Sequence, residues 1–581
     1  MQSKELGDQP LVSIIIPVFN GSRFMEEAID SALNQTYANC EVIVVNDGST
    51  DDGKTACIAQ SYGQRIRYFE KPNGGCGSAL NVGIANMRGA YFSWLSHDDV
   101  YERFKIASQI SALVRSNKPD AIAYSGYKVI DSKSKSVGKV LPERVLGRHR
   151  VEEPLLPLLR GLIHGCCLLI PRMYFDTFGS FDESLLFTQD YDLWFKFLRT
   201  APLVYDPNPY VKSRVHPDQD TQSRKDGHNQ EANSLWGGIL RAVTEDEMTR
   251  LDGSRCAFFL NMESFLSRTG YVEAGRMATA MASVAVSELK VSIVMPVRES
   301  GTLVKEAMLS VKAQTHTNWE LIIVEDGSLS RCEEFVKACD KDPRIVYVQQ
   351  EAEDPGSARN RGIRVAAGKY IAFLGAGDMF EPEKLDLQVR LMEASGCDVS
   401  HTSYRRVLAG GHQSQVVRSG MQRGAIFPQV ITHCMVATPT TMVKRSALSD
   451  VLFPCGMSVG EDICLWIKLA EKYRWGAIDE PLTRVREEAR SPAIARQEQI
   501  ISLLNISCFC MQDPKLAGHV KEVGRLLRLA KYLNGMRPEP QAVKVARAER
   551  KRERPMWRSV AREAKRLKKR VVGWAIRSVR G

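Results

Sequence analysis

One long internal repeat limits the architectures open to this chain. The segment SALNQTYANCEVIVVNDGS, from Ser31 to Ser49, recurs as SVKAQTHTNWELIIVEDGS from Ser310 to Ser328, 279 residues further along. The same displacement relates other residues of the two halves: Pro17 and Pro296, Asp47 and Asp326, Asn81 and Asn360, Gly83 and Gly362, Gly89 and Gly368, Asp99 and Asp378. A gapless match of this length predicts that one kind of module occurs twice, each large enough to bury its own core.

The composition is that of a globular protein, with 44% hydrophobic and 25% charged residues. No apolar run approaches the ~20 residues of a transmembrane helix, and the polar, acidic stretch MQSKELGDQP lacks the pattern of a secretory signal. We therefore expect a cytoplasmic protein. The 14 cysteines are scattered without zinc-finger spacing, which favours reduced, mostly buried thiols over a disulfide or metal framework.

The first module alternates strands with helices. The apolar run VSIIIPVF, from Val12 to Phe19, predicts a strand buried on both faces, as in a parallel sheet. Further strands are predicted at 41–45, 65–69 and 91–95, with helices at 22–33, 51–61 and 79–85. This alternation predicts a doubly wound α/β sheet that binds ligands at the carboxyl ends of its strands. The second module repeats the scheme, with strands at 291–297, 320–324, 345–349 and 370–374.

The rest of the chain is predicted to be helical. We expect a first domain at 10–227, a helical linker at 228–288, a second domain at 289–487, a helical segment at 488–536 and a basic tail at 537–581.

Five linked motifs carry a family resemblance: VSIIIPVFN, EVIVVNDGS, WLSHDD, GSFDESLLFTQDYDLW and RVHPDQDTQ. In this order and spacing they resemble the inverting glycosyltransferases of family 2, which have the nucleotide-sugar-binding GT-A fold. The resemblance covers roughly residues 10–220 and 289–487. It implies an α/β protein of two tandem GT-A domains, with a helical linker and a helical, basic C-terminal extension.

The chemistry of such enzymes calls for carboxylates at the end of a strand. Departure of a nucleoside diphosphate builds negative charge, which a divalent cation, Mn²⁺ or Mg²⁺, held by carboxylate oxygen can offset. By the family pattern Asp99 would be the principal metal contact, and Asp98 would help hold the ribose or a metal-bound water. His216 would lie near the diphosphate and metal. The alternatives are a helix N-terminus, where aspartate is also favoured, and a histidine that is only structural.

The nucleotide base would lie after the second strand. The resemblance implies that Asp47 accepts a hydrogen bond from a pyrimidine ring, with Pro17 and Phe19 lining the pocket. Asp326 and Pro296 would do the same in the second module. The alternative is an ordinary turn, because Asn-Asp-Gly-Ser is a good turn sequence.

An inverting transfer also needs a base for the acceptor hydroxyl, which contributes ~10² to 10⁴ in rate. Asp190 matches the family's base position, and Asp192 is a less favoured bystander. The same residues suit a helix start whose apolar face packs on the sheet, and both interpretations can hold together.

The second module keeps Asp462 as its base but departs from the pattern elsewhere. Gly377 stands in place of Asp98, so Asp378 is the remaining carboxylate of the metal site, and Arg486 is aligned with His216. A guanidinium could neutralise part of a diphosphate. The module is therefore either a second, weaker transferase or a unit that only binds a glycan or a partner.

The net charge of +11 is concentrated in the tail, where 541–581 contains fifteen Lys or Arg against three Glu. From Trp557 onward, apolar residues fall at helical spacing opposite a basic face, which favours a membrane-surface helix. Docking on the protein's own acidic surface is the alternative, and nucleic acid is disfavoured because no base-reading module accompanies the tail.

Together these features predict sugar transfer with inversion from a nucleotide-sugar donor. We expect this donor to be a UDP-sugar. The acceptor would be a glycan or a polyprenyl-lipid-linked glycan of a bacterial surface polysaccharide. The enzyme would lie at the inner face of the cytoplasmic membrane and would perform one transfer or two successive transfers.

Overall fold

A computed structural model describes residues 9–217, 219, 224–298, 301–327, 341–408, 413–418, 420, 423–486 and 492–534. The chain divides into two compact units, Met1–Met281 and Ala282–Gly581, called unit 1 and unit 2 below.

Unit 1 has these strands: β1 Val12–Val18, β2 Cys40–Asn46, β3 Arg67–Glu70, β4 Tyr91–Trp94, β5 Val100–Tyr101, β6 Ile122–Ile130, β7 Ser136–Val140, β8 Leu168–Pro171 and β9 Leu203–Arg214. Its helices are α1 Met25–Leu33, α2 Lys54–Ser61, α3 Cys76–Asn86, α4 Lys105–Ser116, α5 Pro142–Leu146, α6 Met173–Phe178 and α7 Gln189–Leu198, followed by α8 Lys225–Ala242, α9 Glu245–Asp252, α10 Arg255–Leu266 and α11 Val272–Ser287, which continues past the unit boundary.

Within the described residues of unit 1, nine strands form one mixed sheet in the order β3-β2-β1-β4-β8-β6-β9-β5, with β7 paired to β6. The first four strands are parallel, as predicted, and every residue of β1 is buried. The sheet then departs from a purely parallel arrangement, because β8 is antiparallel to both β4 and β6. The carboxyl ends of β1, β2 and β4 therefore share one edge, where the predicted ligand residues lie.

Unit 2 repeats this architecture. Its strands are β10 Val291–Val297, β11 Trp319–Asp326, β12 Ile345–Gln350, β13 Tyr370–Phe373, β14 Met379–Phe380, β15 Val399–Val407, β16 Gln413–Val417, β17 Met442–Lys444 and β18 Trp475–Arg486. Its described helices after α11 are α12 Thr302–Lys312, α13 Pro355–Val365, α14 Lys384–Ser395, α15 Glu461–Lys472, α16 Pro492–Gln512 and α17 Val520–Leu533. The strand order, β12-β11-β10-β13-β17-β15-β18-β14 with β16 on β15, is that of unit 1.

The repeated sequence motif has a structural cause. In unit 1 the Ser31 hydroxyl oxygen accepts the Tyr101 N–H, and the Gln35 amide donates to the Glu102 carbonyl, so α1 is tied to β5. In unit 2, Ser310 and Gln314 make the corresponding bonds to Phe380 and Glu381. The repeat therefore preserves a set of partly buried hydrogen bonds as well as apolar positions.

The segment predicted as a helical linker forms helices, and its first three pack on unit 1. The Trp236 ring of α8 lies 5.9 Å from the Tyr191 ring of α7, and the Arg199 guanidinium at the end of α7 binds Glu247 of α9 at 2.8 Å. These contacts bring α8 and α9 to the two ends of α7.

The C-terminal helical segment is described as far as α17, and the predicted basic amphipathic tail at 537–581 lies outside the described residues. Among the helices that the structure describes, none is long and apolar enough to cross a membrane. The cysteines in the described parts of the chain are free thiols.

Candidate active site

The carboxylate of Asp47, directly after β2, is held by the loop that follows β3. Lys71 Nζ and the Gly74 N–H donate to Oδ1 at 2.6 and 3.0 Å, and the Gly75 N–H donates to Oδ2 at 2.7 Å. Gly48 has a φ of +67°, and a Cβ there would lie 2.6 Å from the backbone of that loop, so glycine follows the aspartate. A carboxylate has about four acceptor sites, which leaves room for a further donor such as a pyrimidine N–H.

Pro17 and Phe19 lie at the end of β1, beside Asp47, whose N–H donates to the Val18 carbonyl at 2.8 Å. Pro17 is buried within the strand, opposite Val45. The Phe19 side chain is 43% exposed. Of the two residues predicted to line the pocket, Phe19 is therefore the one whose side chain is accessible at this edge of the sheet.

The turn after β4 carries Asp98 and Asp99, which are both buried. Asp99 Oδ1 accepts the Arg214 N–H from the end of β9 at 2.8 Å. Burial, reinforced by the charge of neighbouring Asp98, raises the pKa of Asp99 to about 8. Two buried carboxyl groups are therefore adjacent in this turn, and Asp99 resists ionisation.

Asp98 faces His216. The imidazole Nε2 lies 3.1 Å from Asp98 Oδ2, and Gln219 Nε2 donates to the same oxygen at 3.0 Å. Burial opposes ionisation of Asp98, but the charge of His97, the Gln219 hydrogen bond and His216 outweigh it and lower the pKa of Asp98. The structure therefore places Asp98, rather than Asp99, beside the His216 imidazole.

These residues of unit 1 fit a divalent cation. Adjacent buried carboxylates repel one another, and a bound cation removes the cost of ionising both. Carboxylate oxygens suit Mg²⁺ and Mn²⁺, and an imidazole nitrogen is a further ligand for a transition metal. Asp98, Asp99 and His216 would hold such an ion.

A second set of possible metal ligands lies beside Asp99 and was not predicted from the sequence. His164 Nε2 lies 3.8 Å from Asp99 Oδ2, and one ligand atom from each of Asp99, His164 and Cys166 lies within 4.8 Å of the others. Burial lowers the pKa of His164 to about 4, so its imidazole is neutral and can act as a ligand. The only signal in the sequence is the short spacing His-Gly-Cys, which is too common to single out.

The predicted base, Asp190, lies in the first turn of α7 and is partly exposed. Its Oδ1 accepts the Tyr191 N–H at 2.8 Å, and burial raises the pKa of Asp190 to about 6. Tyr191 Oη donates to the Ile163 carbonyl at 3.0 Å, one residue before His164. Asp192 instead pairs with Lys196 on the same helix at 2.6 Å. A carboxyl with a raised pKa is better suited to accept a proton at neutral pH than an ordinary surface aspartate.

Unit 2 keeps one carboxylate at the corresponding turn. Asp378 Oδ1 accepts the Arg486 N–H at 2.9 Å, and burial raises the pKa of Asp378 to about 6. Gly377 stands where unit 1 has Asp98, and a Cβ at Gly377 would meet nothing nearer than 4.0 Å. Unit 2 therefore has space for a Cβ at this position.

Arg486 is the counterpart of Arg214, so the alignment that matched Arg486 with His216 is wrong. Each arginine N–H binds the aspartate of its turn, and each guanidinium pairs with a glutamate of the first helix, Glu27 at 2.7 Å and Glu306 at 2.8 Å. The dipeptide Arg-Val occurs at 214–215 and at 484–485, which shifts a sequence alignment by two residues. The position that corresponds to His216 lies outside the described residues.

Asp326 is held differently from Asp47. The Arg298 guanidinium donates twice to Asp326 Oδ2, at 3.0 and 2.8 Å, while Gln350 and the Glu353 N–H donate to Oδ1. Burial opposes ionisation, but these four donors lower the pKa of Asp326. Arg298 corresponds to Phe19, so unit 2 places a cation where unit 1 offers an aromatic ring. Pro296, the counterpart of Pro17, is half-buried in β10.

Asp462 also has a partner that Asp190 lacks. Its Oδ1 accepts the Ile463 N–H at 2.8 Å, as Asp190 does from its own neighbour. Its Oδ2 accepts the Thr438 hydroxyl at 2.8 Å. The strand registers make Gly165 the residue of unit 1 that corresponds to Thr438, so unit 1 has no hydroxyl there.

Comparison with known proteins agrees with this architecture. The family model described as Glycosyl transferase family 2 matches residues 13–179 and 292–452. An uncharacterized glycosyltransferase of Rickettsia felis is 46% identical over 510 residues, which cover 87% of this chain and 85% of that protein. The chondroitin synthase of Escherichia coli is 29% identical over 228 residues, 39% of this chain and 32% of that protein.

Among solved structures, Staphylococcus aureus TarS 1–349 in complex with UDP-GlcNAc matches 41% of this chain and 72% of that chain. The sequence identity is 16% and the TM-score is 0.35, values that add nothing to the assignment from sequence.

The mixed α/β sheet with carboxylates at its edge, present twice, defines a pair of tandem GT-A domains. With the family match over both sheets, the chain belongs to glycosyltransferase family 2.

Proposed function

We propose that unit 1 transfers a sugar, with inversion, from a nucleotide-diphosphate sugar to a glycan or polyprenyl-lipid-linked acceptor. The observation that carries the proposal is the group of Asp98, Asp99 and His216 at the sheet edge, with Asp190 at the start of α7. The likeness to the Escherichia coli chondroitin synthase supports a role in polysaccharide biosynthesis. A UDP-sugar is the expected donor.

In this reaction Asp47 accepts a hydrogen bond from the base, and Phe19 contacts the nucleotide. Asp98 and Asp99 hold the ribose and the divalent cation, with His216 near the diphosphate. When bound, the cation offsets the charge of the departing diphosphate. Asp190 takes the proton of the acceptor hydroxyl as that oxygen attacks the anomeric carbon from the face opposite the leaving group.

Unit 2 performs a second transfer in this proposal, with Asp462 as base, Asp378 at the metal and Asp326 with Pro296 at the nucleotide. The alternative is that unit 2 only binds a glycan or a partner. That alternative is favoured by the missing carboxylate at Gly377 and by the guanidinium of Arg298 on Asp326.

The proposed domain boundaries remain those predicted from the sequence: 10–227, 228–288, 289–487, 488–536 and 537–581. The basic tail holds the enzyme at the inner face of the cytoplasmic membrane, because each Lys or Arg near anionic lipid contributes about 1 kcal/mol. A position at the membrane supports a lipid-linked acceptor. The proposal includes no nucleic-acid partner.

The test is nucleotide release from a panel of UDP- and GDP-sugars, with Mn²⁺ or Mg²⁺ and a membrane extract as acceptor. Wild type is compared with Asp190→Asn and Asp462→Asn. Loss of release from a different donor in each variant supports two transfers. If Asp190→Asn abolishes all release and Asp462→Asn none, unit 2 is a binding unit, whereas full activity of Asp190→Asn refutes the proposed base.

A further inference from the structure

The turn that leads into α7 is organised by a carboxylate from another helix. Glu231 of α8 accepts four hydrogen bonds: Oε1 from the Phe187 N–H at 2.8 Å, the Thr188 N–H at 2.6 Å and the Thr188 hydroxyl at 2.8 Å, and Oε2 from the Leu186 N–H at 2.9 Å. These donors are consecutive residues that end two positions before Asp190.

This arrangement replaces the usual start of a helix. A threonine at the N-cap normally accepts an N–H of the first turn through its own hydroxyl. Thr188 makes no such bond and donates its hydroxyl to Glu231 instead. The direction in which α7 leaves the turn is therefore set from outside the helix, by α8.

We infer that Glu231 is a positioning residue for Asp190: by holding the turn 186–188 it fixes where the first turn of α7 presents the carboxylate. The inference rests on the proposed role of Asp190 as the base. It follows that the helical segment after the first sheet belongs to the working parts of unit 1, rather than serving only as a spacer.

Unit 2 makes the corresponding contact without a charge. Asn505 of α16 donates its amide to the Val459 carbonyl at 2.9 Å, next to Gly460 at the start of α15. The helix after each sheet therefore contacts the turn before the proposed base in both units, but a carboxylate performs this role in unit 1 alone among the described residues.

The charge of Glu231 also reaches the base. Burial raises the pKa of Asp190 to about 6, and the Glu231 charge acts in the same direction. Tyr191 on α7 and Tyr271 before α11 interact with Asp190, and Tyr127 on β6 interacts with Tyr191. Burial raises the pKa of all three tyrosines, so they remain neutral. His228 of α8 faces Glu231, and burial lowers its pKa. Asp192 is balanced by Lys196.

The experiment measures Glu231→Gln in the full chain with Asp462→Asn present in every variant, so that unit 1 is the active site. The donor is the UDP- or GDP-sugar that Asp462→Asn turns over fastest at saturating Mn²⁺. We expect kcat to fall roughly tenfold or more because the base is misplaced, with KM for the donor little changed. The acid-side midpoint of the kcat profile should move to lower pH, because a negative charge near Asp190 has been removed.

Glu247→Gln is the matched control. Glu247 lies on α9 and binds Arg199 at the opposite end of α7, so its loss weakens the same helical packing far along the helix from Asp190. We expect Glu247→Gln to lower Tm while leaving the pH midpoint in place. If Glu231→Gln behaves like Glu247→Gln, the inference is wrong and Glu231 is only structural.

Two further variants keep the outcome decisive. If Glu231→Gln folds poorly, Glu231→Asp is used instead. It retains the charge but shortens the side chain by one methylene, which withdraws the acceptor from the turn. We expect Glu231→Asp to lower kcat and to leave the acid-side midpoint of the kcat profile unchanged. Unchanged kcat in Glu231→Asp would overturn the inference. Asp190→Asn is measured alongside. If Asp190→Asn is active, the role of Asp190 as the base is refuted. If Asp190→Asn is inactive while Glu231→Gln keeps full activity, only the positioning role of Glu231 is refuted.

Discussion

At the scale of single residues, the two units use the same aspartates with different partners. Asp47 is bound mainly by backbone N–H groups and one lysine, whereas Asp326 carries a forked arginine. A guanidinium on a carboxylate oxygen occupies sites that a nucleotide base would need. Whether this aspartate can accept a hydrogen bond from a nucleotide base therefore depends on the neighbouring residue, which is Phe19 in unit 1 and Arg298 in unit 2.

The raised pKa of Asp190 predicts how unit 1 responds to pH. Because the base must be ionised to accept a proton, nucleotide release should be constant above about pH 6 and fall roughly tenfold per unit below it. The measurement is the pH profile of Asp462→Asn at saturating Mn²⁺, which leaves unit 1 as the active site. A profile that stays flat well below pH 6 would contradict a proton-accepting role.

Gly377 predicts a gain of function in unit 2. Gly377→Asp should lower the Mn²⁺ concentration needed for release by unit 2, since the site has space for the side chain and affinity rises with ligand charge. The titration is done in the Asp190→Asn background. Gly518→Asp is the control, because that glycine also has open space and adds the same charge elsewhere. Equal Mn²⁺ requirements for the two variants would argue against a metal site at Asp378.

The sequence alone nominated most residues of the candidate site but could not assign their hydrogen-bond partners. Asp98, Asp99 and Asp190 were recognisable from motif and spacing. The Arg486 register was not, because two arginines flank the same valine at 484–486 and only the bond to Asp378 distinguishes them. Glu231 was missed because it lies in a helix with no motif, 41 residues after Asp190 in the chain.

At the scale of elements, the parallel half of each sheet was predictable and the other half was not. Strands such as β1 and β11 are continuous buried apolar runs, and their observed bounds fall within two residues of those predicted. The strand β9, LVYDPNPYVKSR, contains two prolines, and its buried, half-buried and exposed positions follow in irregular order, so no simple periodicity marks it. Its place next to β6 depends on pairing across the sheet.

The loop before β4 predicts a strong stability effect. A Cβ at Gly89 would lie 2.7 Å from the Ser13 N, so Gly89→Ala forces backbone atoms apart and should cost about 1–3 kcal/mol, seen as a lower Tm. Gly238→Ala in α8 is the control, since nothing lies within 4 Å of its Cβ, and alanine favours the helix by about 0.5–1 kcal/mol. Equal Tm values for the two variants would show that the loop can relax.

At the scale of the whole molecule, one chain carries two sites of unequal charge. In the proposed function, unit 1 would hold a cation with Asp98, Asp99 and His216, while the described part of unit 2 has Asp378 at the corresponding turn. After treatment with EDTA, nucleotide release should return in two steps as Mn²⁺ is added, the first from unit 1, because more ligand charge gives tighter binding.

The two single-base variants separate these steps. Asp462→Asn should keep only the step at low Mn²⁺, and Asp190→Asn only the step at high Mn²⁺. Recovery of both variants at the same concentration would contradict the proposed difference between the sites. A single step in wild type that Asp190→Asn removes would identify unit 2 as a binding unit.

The constant displacement between the units has a practical use in protein engineering. It extends from Val12 to Tyr101 in unit 1 and from Val291 to Phe380 in unit 2, so these stretches have equal length and can be exchanged without insertion or deletion. Some contacts across the seam use the same residue types in both units, as in Glu27 with Arg214 and Glu306 with Arg486. Others occur in one unit, such as Asp98 with His216 in unit 1 and Arg359 with Glu461 in unit 2. Chimeras cut at Tyr101 and Phe380 would therefore combine the proposed nucleotide-binding half of one unit with the proposed acceptor-binding half of the other, and would test whether donor choice and acceptor choice can be reassigned independently.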